Sequence, residues 1–365
     1  MKKLLIVIIS FYSFNLLTNE HYIYIHRGAR VLGLGGAFTG VSDDENALFY
    51  NPAGLNRIKE SRIAIFNPMV VIGSDTMGAI ESIRSMTDDN IITSLDDQIG
   101  KDLSFNVLGL MPFWTKKNFA VAMILPSVQN HTTIRRNIVP EFIEEIILDA
   151  GILVGISKGF LENEKLSLGT NMKLMFRGSG STVIDATDLY SGEKLSLSDM
   201  VQYGVGFDFD LGAMYTFDKM LFFTPTVGMS INNLLASSYP FQFGNNDEIG
   251  DIGNRMKLKR TFSFGSKFEL PNYERYKITR WIFVFDINDI GLPGGFFKKV
   301  HTGTEVWFFD FVAGRLGINQ GYITFGVTLD IPYFQIDFFT YAEELGRNVG
   351  SKAGRSYGFQ VTVDL

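Results

Sequence analysis

Apolar and polar side chains alternate with a period of two through most of the chain, the spacing that sends successive residues to opposite faces of a strand. The clearest run is Met200 to Phe217. Val201, Tyr203, Val205, Phe207, Phe209, Leu211, Ala213, Tyr215 and Phe217 fall on one face. Gln202, Gly204, Gly206, Asp208, Asp210, Gly212 and Thr216 fall on the other. Ordinary strands average about five or six residues, and this run is far longer. The same alternation returns at Leu166–Phe176, Thr261–Leu270, Tyr322–Ile331 and Tyr357–Leu365.

The pattern predicts about fourteen strands, near 61–72, 102–112, 117–127, 149–159, 164–177, 200–217, 221–233, 259–270, 279–288, 299–309, 310–318, 321–331, 333–343 and 355–365. Their links alternate between long and short. The long ones run through 74–101, 129–148, 178–198 and 233–257, and tight turns fall at 114–117, 161–163 and 218–219. Strands ten to twelve depart from this rhythm, because both of their links are short. Long strands with one apolar and one polar face fit either a soluble sandwich or a membrane barrel with lipid outside and a polar lumen. Alternating link lengths and an even strand count favour the barrel, which returns both chain ends to the periplasmic side.

Two of the long links carry helical spacing, at Met77, Ile80, Ile83 and Met86 and at Phe142, Ile143, Ile146 and Ile147. Loop helices are expected there, packed on the barrel rim. Alternatively, Met77, Ile80, Ile83, Phe142 and Ile146 form an external apolar patch that binds a greasy ligand.

The segment Gly33–Leu55, GLGGAFTGVSDDENALFYNPAGL, stands apart. It is rich in small residues and has no strand alternation. Ser42-Asp43-Asp44-Glu45 has the spacing of a capping box, which predicts a helix starting near Asp43. Asn51-Pro52 reads as a second N-cap followed by Pro at the first helical position.

Composition narrows the class. The 365 residues are 46% hydrophobic and 14% aromatic, with 33 Phe. The formal net charge of −6 and absence of a basic block argue against a nucleic-acid partner. With no Cys, a disulfide framework, a thiolate metal site and a Cys nucleophile are excluded. Residues 1–19 read as a signal peptide, with Lys2 and Lys3 ahead of an apolar run from Leu4 to Leu17. Beyond it no apolar run approaches the ~20 residues of a spanning helix. The expected organisation is a signal peptide over 1–19, an N-terminal hatch over 20–58 and a barrel over 59–365.

The stretch GARVLGLGGAFTGVSDDENALFYNPAGL, Gly28 to Leu55, resembles the N-terminal hatch of the FadL-type family, outer-membrane transporters of long-chain fatty acids and other hydrophobic compounds. The likeness lies in the small-residue run, the acidic pair Asp43-Asp44 and Asn51-Pro52-Ala53-Gly54-Leu55. A looser similarity extends over Ala313–Ile331. The resemblance implies a fourteen-stranded transmembrane β-barrel whose lumen holds the hatch. It implies hatch or gating roles for Gly33, Gly35, Gly36, Asp43, Asp44, Asn51, Pro52 and Ala53. It further implies passive diffusion of a hydrophobic solute and its lateral release into membrane lipid through an interrupted strand, for which Pro68 and Gly73 are candidates. The related PorV group gives the alternative, a barrel that docks secreted proteins.

Other motifs carry no chemistry of their own. Gly33-x-Gly35-Gly36 fails the dinucleotide spacing at Phe38. The four His are scattered, so no metal site or cofactor is expected, and no residue stands out as catalytic. Asp208 and Asp210 are expected as solvated, lumen-facing carboxylates. Phe296-Phe297 and Trp307-Phe308-Phe309 read as interfacial girdle residues.

Overall fold

The computed structural model describes residues 24–84, 99–108, 110–136, 140–185, 201–237, 239, 241–243 and 257–365. The expected signal peptide lies outside them, as does Met86. The strands form one closed antiparallel barrel. Among the described residues, seventeen segments make fourteen staves, because three staves come in two pieces.

The first stave is β1 (Arg62–Phe66) and β2 (Met69–Gly73). The second is β3 (Asp102–Leu108) and β4 (Phe113–Lys116). Then follow β5 (Phe119–Arg136), β6 (Pro140–Phe160), β7 (Leu166–Asp185) and β8 (Val201–Thr216). Both β9 (Thr224–Asn232) and β10 (Phe241–Phe243) pair with β8 and make one stave. The rest are β11 (Thr261–Leu270), β12 (Ile278–Ile290), β13 (Val300–Phe308), β14 (Val312–Asn319), β15 (Tyr322–Ile331), β16 (Phe334–Glu344) and β17 (Ala353–Asp364). The ring closes where β17 pairs with both halves of the first stave.

Side-chain placement is inside out relative to a soluble protein. Outward positions hold exposed Leu168, Met172, Leu174, Phe207, Leu211, Phe264, Phe283, Phe285, Phe325 and Phe338. Inward positions hold buried Asp149, Ser167, Asn171, Lys173, Arg177, Asp210, Lys267, Asp286, Glu305 and Arg315. A sandwich would bury the first group, so the sandwich alternative falls. Exposed aromatics ring the short-turn end at Phe222, Tyr276, Phe309, Tyr333 and Phe334, and Phe296 and Phe297 project at the other. An outward apolar band between aromatic girdles around a polar interior defines a transmembrane barrel of the bacterial outer membrane. No helix among the described residues is long and apolar enough to cross a membrane; the chain crosses with strands.

Two local expectations fail. Residues 142–147 are not a loop helix: they belong to β6, with Ile146 opposite Asn130 on β5 and Gly180 on β7. Their spacing suits either element, and the β-branched isoleucines find ladder partners on both sides, which decides for strand. β6 has 21 residues where about 9–11 span a bilayer. The hairpin it makes with β5 therefore stands well clear of the membrane on the long-loop side. The capping box also fails. Ser42 takes φ 34° and donates its hydroxyl to Phe38 O, and the helix starts only at Ala47.

Candidate functional site

The N-terminal segment folds inside the barrel. Its elements are α1 (Ala29–Gly33), α2 (Ala47–Tyr50) and a 3-10 helix over Pro52–Arg57. Asn51 caps the last as expected: its Oδ1 accepts from Ala53 N, while its Nδ2 donates to Thr39 O at 2.9 Å and to Ala213 O on β8 at 3.3 Å. Pro52 occupies the first helical position, where a missing N–H costs nothing. Gly35 and Gly36 have φ of 77° and 80°, which only glycine adopts cheaply. Thr324 and Asn288 donate to the carbonyls of Gly33 and Gly36.

Asp43 and Asp44 act as ion-pair partners. Arg30 reaches both at 2.7 Å and holds Glu305 on β13 at 2.7 Å; Arg280 on β12 meets Asp43, and Arg315 on β14 meets Glu305 at 2.7 Å. Burial alone would raise the Asp43 carboxyl, but Arg280 and then Arg30 hold it well below the usual carboxylate range. Asp286 accepts from the Phe38 and Thr39 N–H groups at 2.7 and 2.6 Å.

Backbone fits against backbone around the hatch. A Cβ at Gly169 would strike Pro52, at Gly212 Asn51, at Gly228 Thr39, at Gly303 Leu34 and at Gly317 Gly35. These wall glycines belong to five different staves, and such a close approach needs residues without side chains.

The wall is broken at one level across three neighbouring staves. The first stave breaks at Asn67-Pro68, between β1 and β2, and the second at residues 110–112, between β3 and β4. In β5 the pairing with β6 shifts between Ile124 and Ser127. Pro68, Pro112 and Pro126 occupy the three interruptions, as expected of a residue with no ladder donor. Of the two sequence candidates, Pro68 sits at a break and Gly73 ends β2. The gap is stitched. Asn67 Oδ1 accepts from Met111 N at 2.6 Å, and Met123 N and Leu125 N donate to Pro112 O and Leu110 O. Pro112 and Pro126 were not singled out from sequence; prolines inside otherwise strand-like runs were the available signal.

Behind the gap the lumen turns apolar. Met111, Phe113 and Ile124 pack with Leu48, Leu55 and Ile58 of the hatch and with Leu153, Met175, Tyr239 and Leu258. Ile25 and Phe49 lie against this cluster and also line a cavity of about 80 Å³ on the long-loop side of the hatch. The cavity is bounded by Tyr24, His26 and Tyr50 and by polar groups on Asn232, Ser263, Asn288, His301 and Asn319.

The remaining candidates are dispersed. Met77 and Ile80 are exposed on α3 (Ser74–Arg84), whereas Ile146 lies in β6. The side chains of Ile83 and Phe142 lie outside the described residues. Asp208 and Asp210 face inward but are not solvated. Asp210 pairs with Lys173 at 2.7 Å, and Asp208 accepts from Leu235 N and Ser237 N. Among the described residues no three His, Asp or Glu side chains gather where a metal ion would be held.

No protein-family model and no curated protein matches the chain. Solved structures do. The CymD monoaromatic hydrocarbon channel is 10% identical over 94% of this chain and 99% of its own, with a TM-score of 0.45. The Pseudomonas putida toluene transporter TodX is 11% identical over 93% and 97%, with a TM-score of 0.45. A Pseudomonas aeruginosa FadL homologue is 12% identical over 92% and 98%, with a TM-score of 0.41. All three likenesses run along nearly the whole length of both chains, at 10–12% identity and TM-scores below 0.5.

Proposed function

We propose that the chain is a passive outer-membrane channel for uncharged hydrophobic compounds, with entry from the long-loop side and exit sideways into the bilayer. The observation that carries this reading is the apolar cluster. It links the cavity above the hatch, through Ile25 and Phe49, to Met111 and Ile124 at the broken wall. A lumen built only for water and ions has no use for that lane, whereas an apolar solute moves along it without leaving a low-dielectric surface. The hatch blocks the straight route, so the solute leaves through the wall. The ion pairs and glycine contacts favour a hatch that stays docked while the Asn67 stitch opens.

The native chain has no Cys, which makes a cross-link test clean. In an N67C/M111C double variant, oxidation should cut uptake of labelled toluene by cells at least tenfold, and reductant should restore it. Undiminished uptake with the disulfide formed removes the sideways exit; no uptake by the native chain removes the channel.

A further inference from the structure

The long-loop rim of the barrel is uneven. On one side β5, β6 and β7 have 18, 21 and 20 residues and lift their links clear of the bilayer. On the other, β13, β14 and β15 have 9, 8 and 10, no more than the ~9–11 that cross a bilayer. The links on that side therefore end at the level of the lipid headgroups. Three links make this low rim: residues 291–299 after β12, Gln320-Gly321 after β14 and residues 345–352 after β16. They are joined to one another. Gly295 N donates to Arg347 O at 3.1 Å, Lys298 Nζ to Gly346 O at 3.2 Å, and Gly350 N to the Tyr322 hydroxyl at 3.2 Å.

The rim carries one sign of charge. Lys298, Lys299, Arg347 and Lys352 lie in the links. Arg355 follows on β17, on the face that carries exposed Tyr357 and Phe359, and donates to Ile323 O. None of the three links contains an Asp or Glu, although the chain as a whole has a net charge of −6. The acids behind the rim are occupied. Glu343 holds Arg27, Asp289 accepts from Tyr24, and Glu344 accepts from the N–H groups of Gly346, Ser351 and Lys352.

Beside these cations stand two large apolar rings. Phe296 and Phe297, in a 3-10 turn over Phe296–Lys299, are 60% and 72% exposed, with ring centroids 5.8 Å apart. The turn sits just above the Ile287–Val300 pair, at the top of the outward row that holds Phe283 and Phe285. Exposed rings continuous with a lipid-facing band, next to cations without acids, match the layer where hydrocarbon meets anionic headgroups.

We propose that this low rim docks outer-leaflet lipids with anionic phosphate headgroups, with Arg347, Lys352 and Arg355 on the phosphate oxygens and Phe296 and Phe297 among the acyl chains. A guanidinium can meet a phosphate with two parallel N–H bonds. The rings name a lipid as the occupant, because a free anion has no use for them. The proposal needs the barrel and its orientation but not the channel reading.

The chain has no Cys, so one fluorescent donor can be placed at will. Ala353→Cys sets it beside Lys352 and Arg355 at an exposed position. Energy transfer is then measured in phosphatidylcholine bilayers to acyl-labelled phosphatidic acid or acyl-labelled phosphatidylcholine, each at the same trace fraction. Local enrichment of phosphatidic acid should be about fivefold. Arg347→Gln with Lys352→Gln should bring the two lipids to parity, and Arg347→Glu with Lys352→Glu should reverse the preference. Both pairs of changes lie in a link, so heat-modifiable migration of the barrel on a gel should stay as in the native chain. A donor at Leu221→Cys, 89% exposed near the short-turn end, should report no preference. Equal transfer to both lipids in the native chain, a preference that survives both charge variants, or the same preference at Leu221→Cys overturns the proposal. So does a preference abolished by excess inorganic phosphate, which would mark a site for soluble anions.

Discussion

The Asn51 amide joins three things at once: the cap of its own 3-10 helix, the Thr39 carbonyl of the hatch and the Ala213 carbonyl of the wall. A cap of this kind contributes about 1 kcal/mol, and here it also fixes the hatch to β8. Asn51-Pro52 was legible in the sequence because capping is local. The acidic run was misread because its partners are not local. Arg280 lies more than two hundred positions away, and its pull on Asp43 outweighs a helix start at Ser42. Glu45 makes a prediction at this scale. Burial, then the Asp44 carboxylate, push its carboxyl up to about 7 against the opposing pull of Arg62. A folded-state pKa above the ordinary carboxylate value means that the stability it contributes is present in acid and is lost as pH rises through about 7. Hydrogen-exchange protection of the hatch amides should therefore decline between pH 5 and pH 8 in the native chain. Glu45→Gln should flatten that decline; an unchanged slope in the variant would refute the assignment.

At the scale of elements, long strands were readable wherever alternation held, and their outer ends were not. β5, β6 and β7 run past the expected boundaries because their upper parts pair with each other outside the bilayer, where the apolar alternation relaxes. The broken wall was harder still. Each proline looks like an isolated irregularity, and only the register of three staves brings them to one level. The wall glycines make a second prediction. Gly212→Val places side-chain atoms where Asn51 sits, an overpacking that costs about 1–3 kcal/mol. The barrel should still form while the hatch loosens, and limited proteolysis should cut within 28–58 at least tenfold faster. Gly314→Ala is the control, since a Cβ there meets nothing within 4 Å. Equal cutting of both variants would show that hatch and wall are not so closely fitted.

For the whole molecule, one physical inversion organises the rest: apolar rows face lipid, and charged rows face a folded plug. That much followed from the two-residue period, since a face of Gly and Asp beside a face of Phe and Leu has few homes other than a barrel wall. Which residues clasp the plug did not follow, because the clasp is made of pairs such as Arg30 with Glu305, 275 positions apart. Deleting 20–58 should leave an open barrel lined by Glu305, Arg315 and Arg280, with Glu305 and Arg280 stripped of their hatch partners Arg30 and Asp43. In a planar bilayer this variant should pass ions steadily where the full chain is nearly silent. Equal silence from a correctly inserted variant would mean that something other than the hatch fills the lumen.

The stave that completes the ring is also one of the broken ones. β17 meets β1 around Ala64 and Phe66, and meets β2 from Met69 to Gly73, with Asn67-Pro68 between. The last joint of the barrel is thus two short seams bridged at the break, where Val361 N donates to Pro68 O at 3.2 Å. It can be zipped in two strokes during insertion, with the Pro68 bond as the join between them.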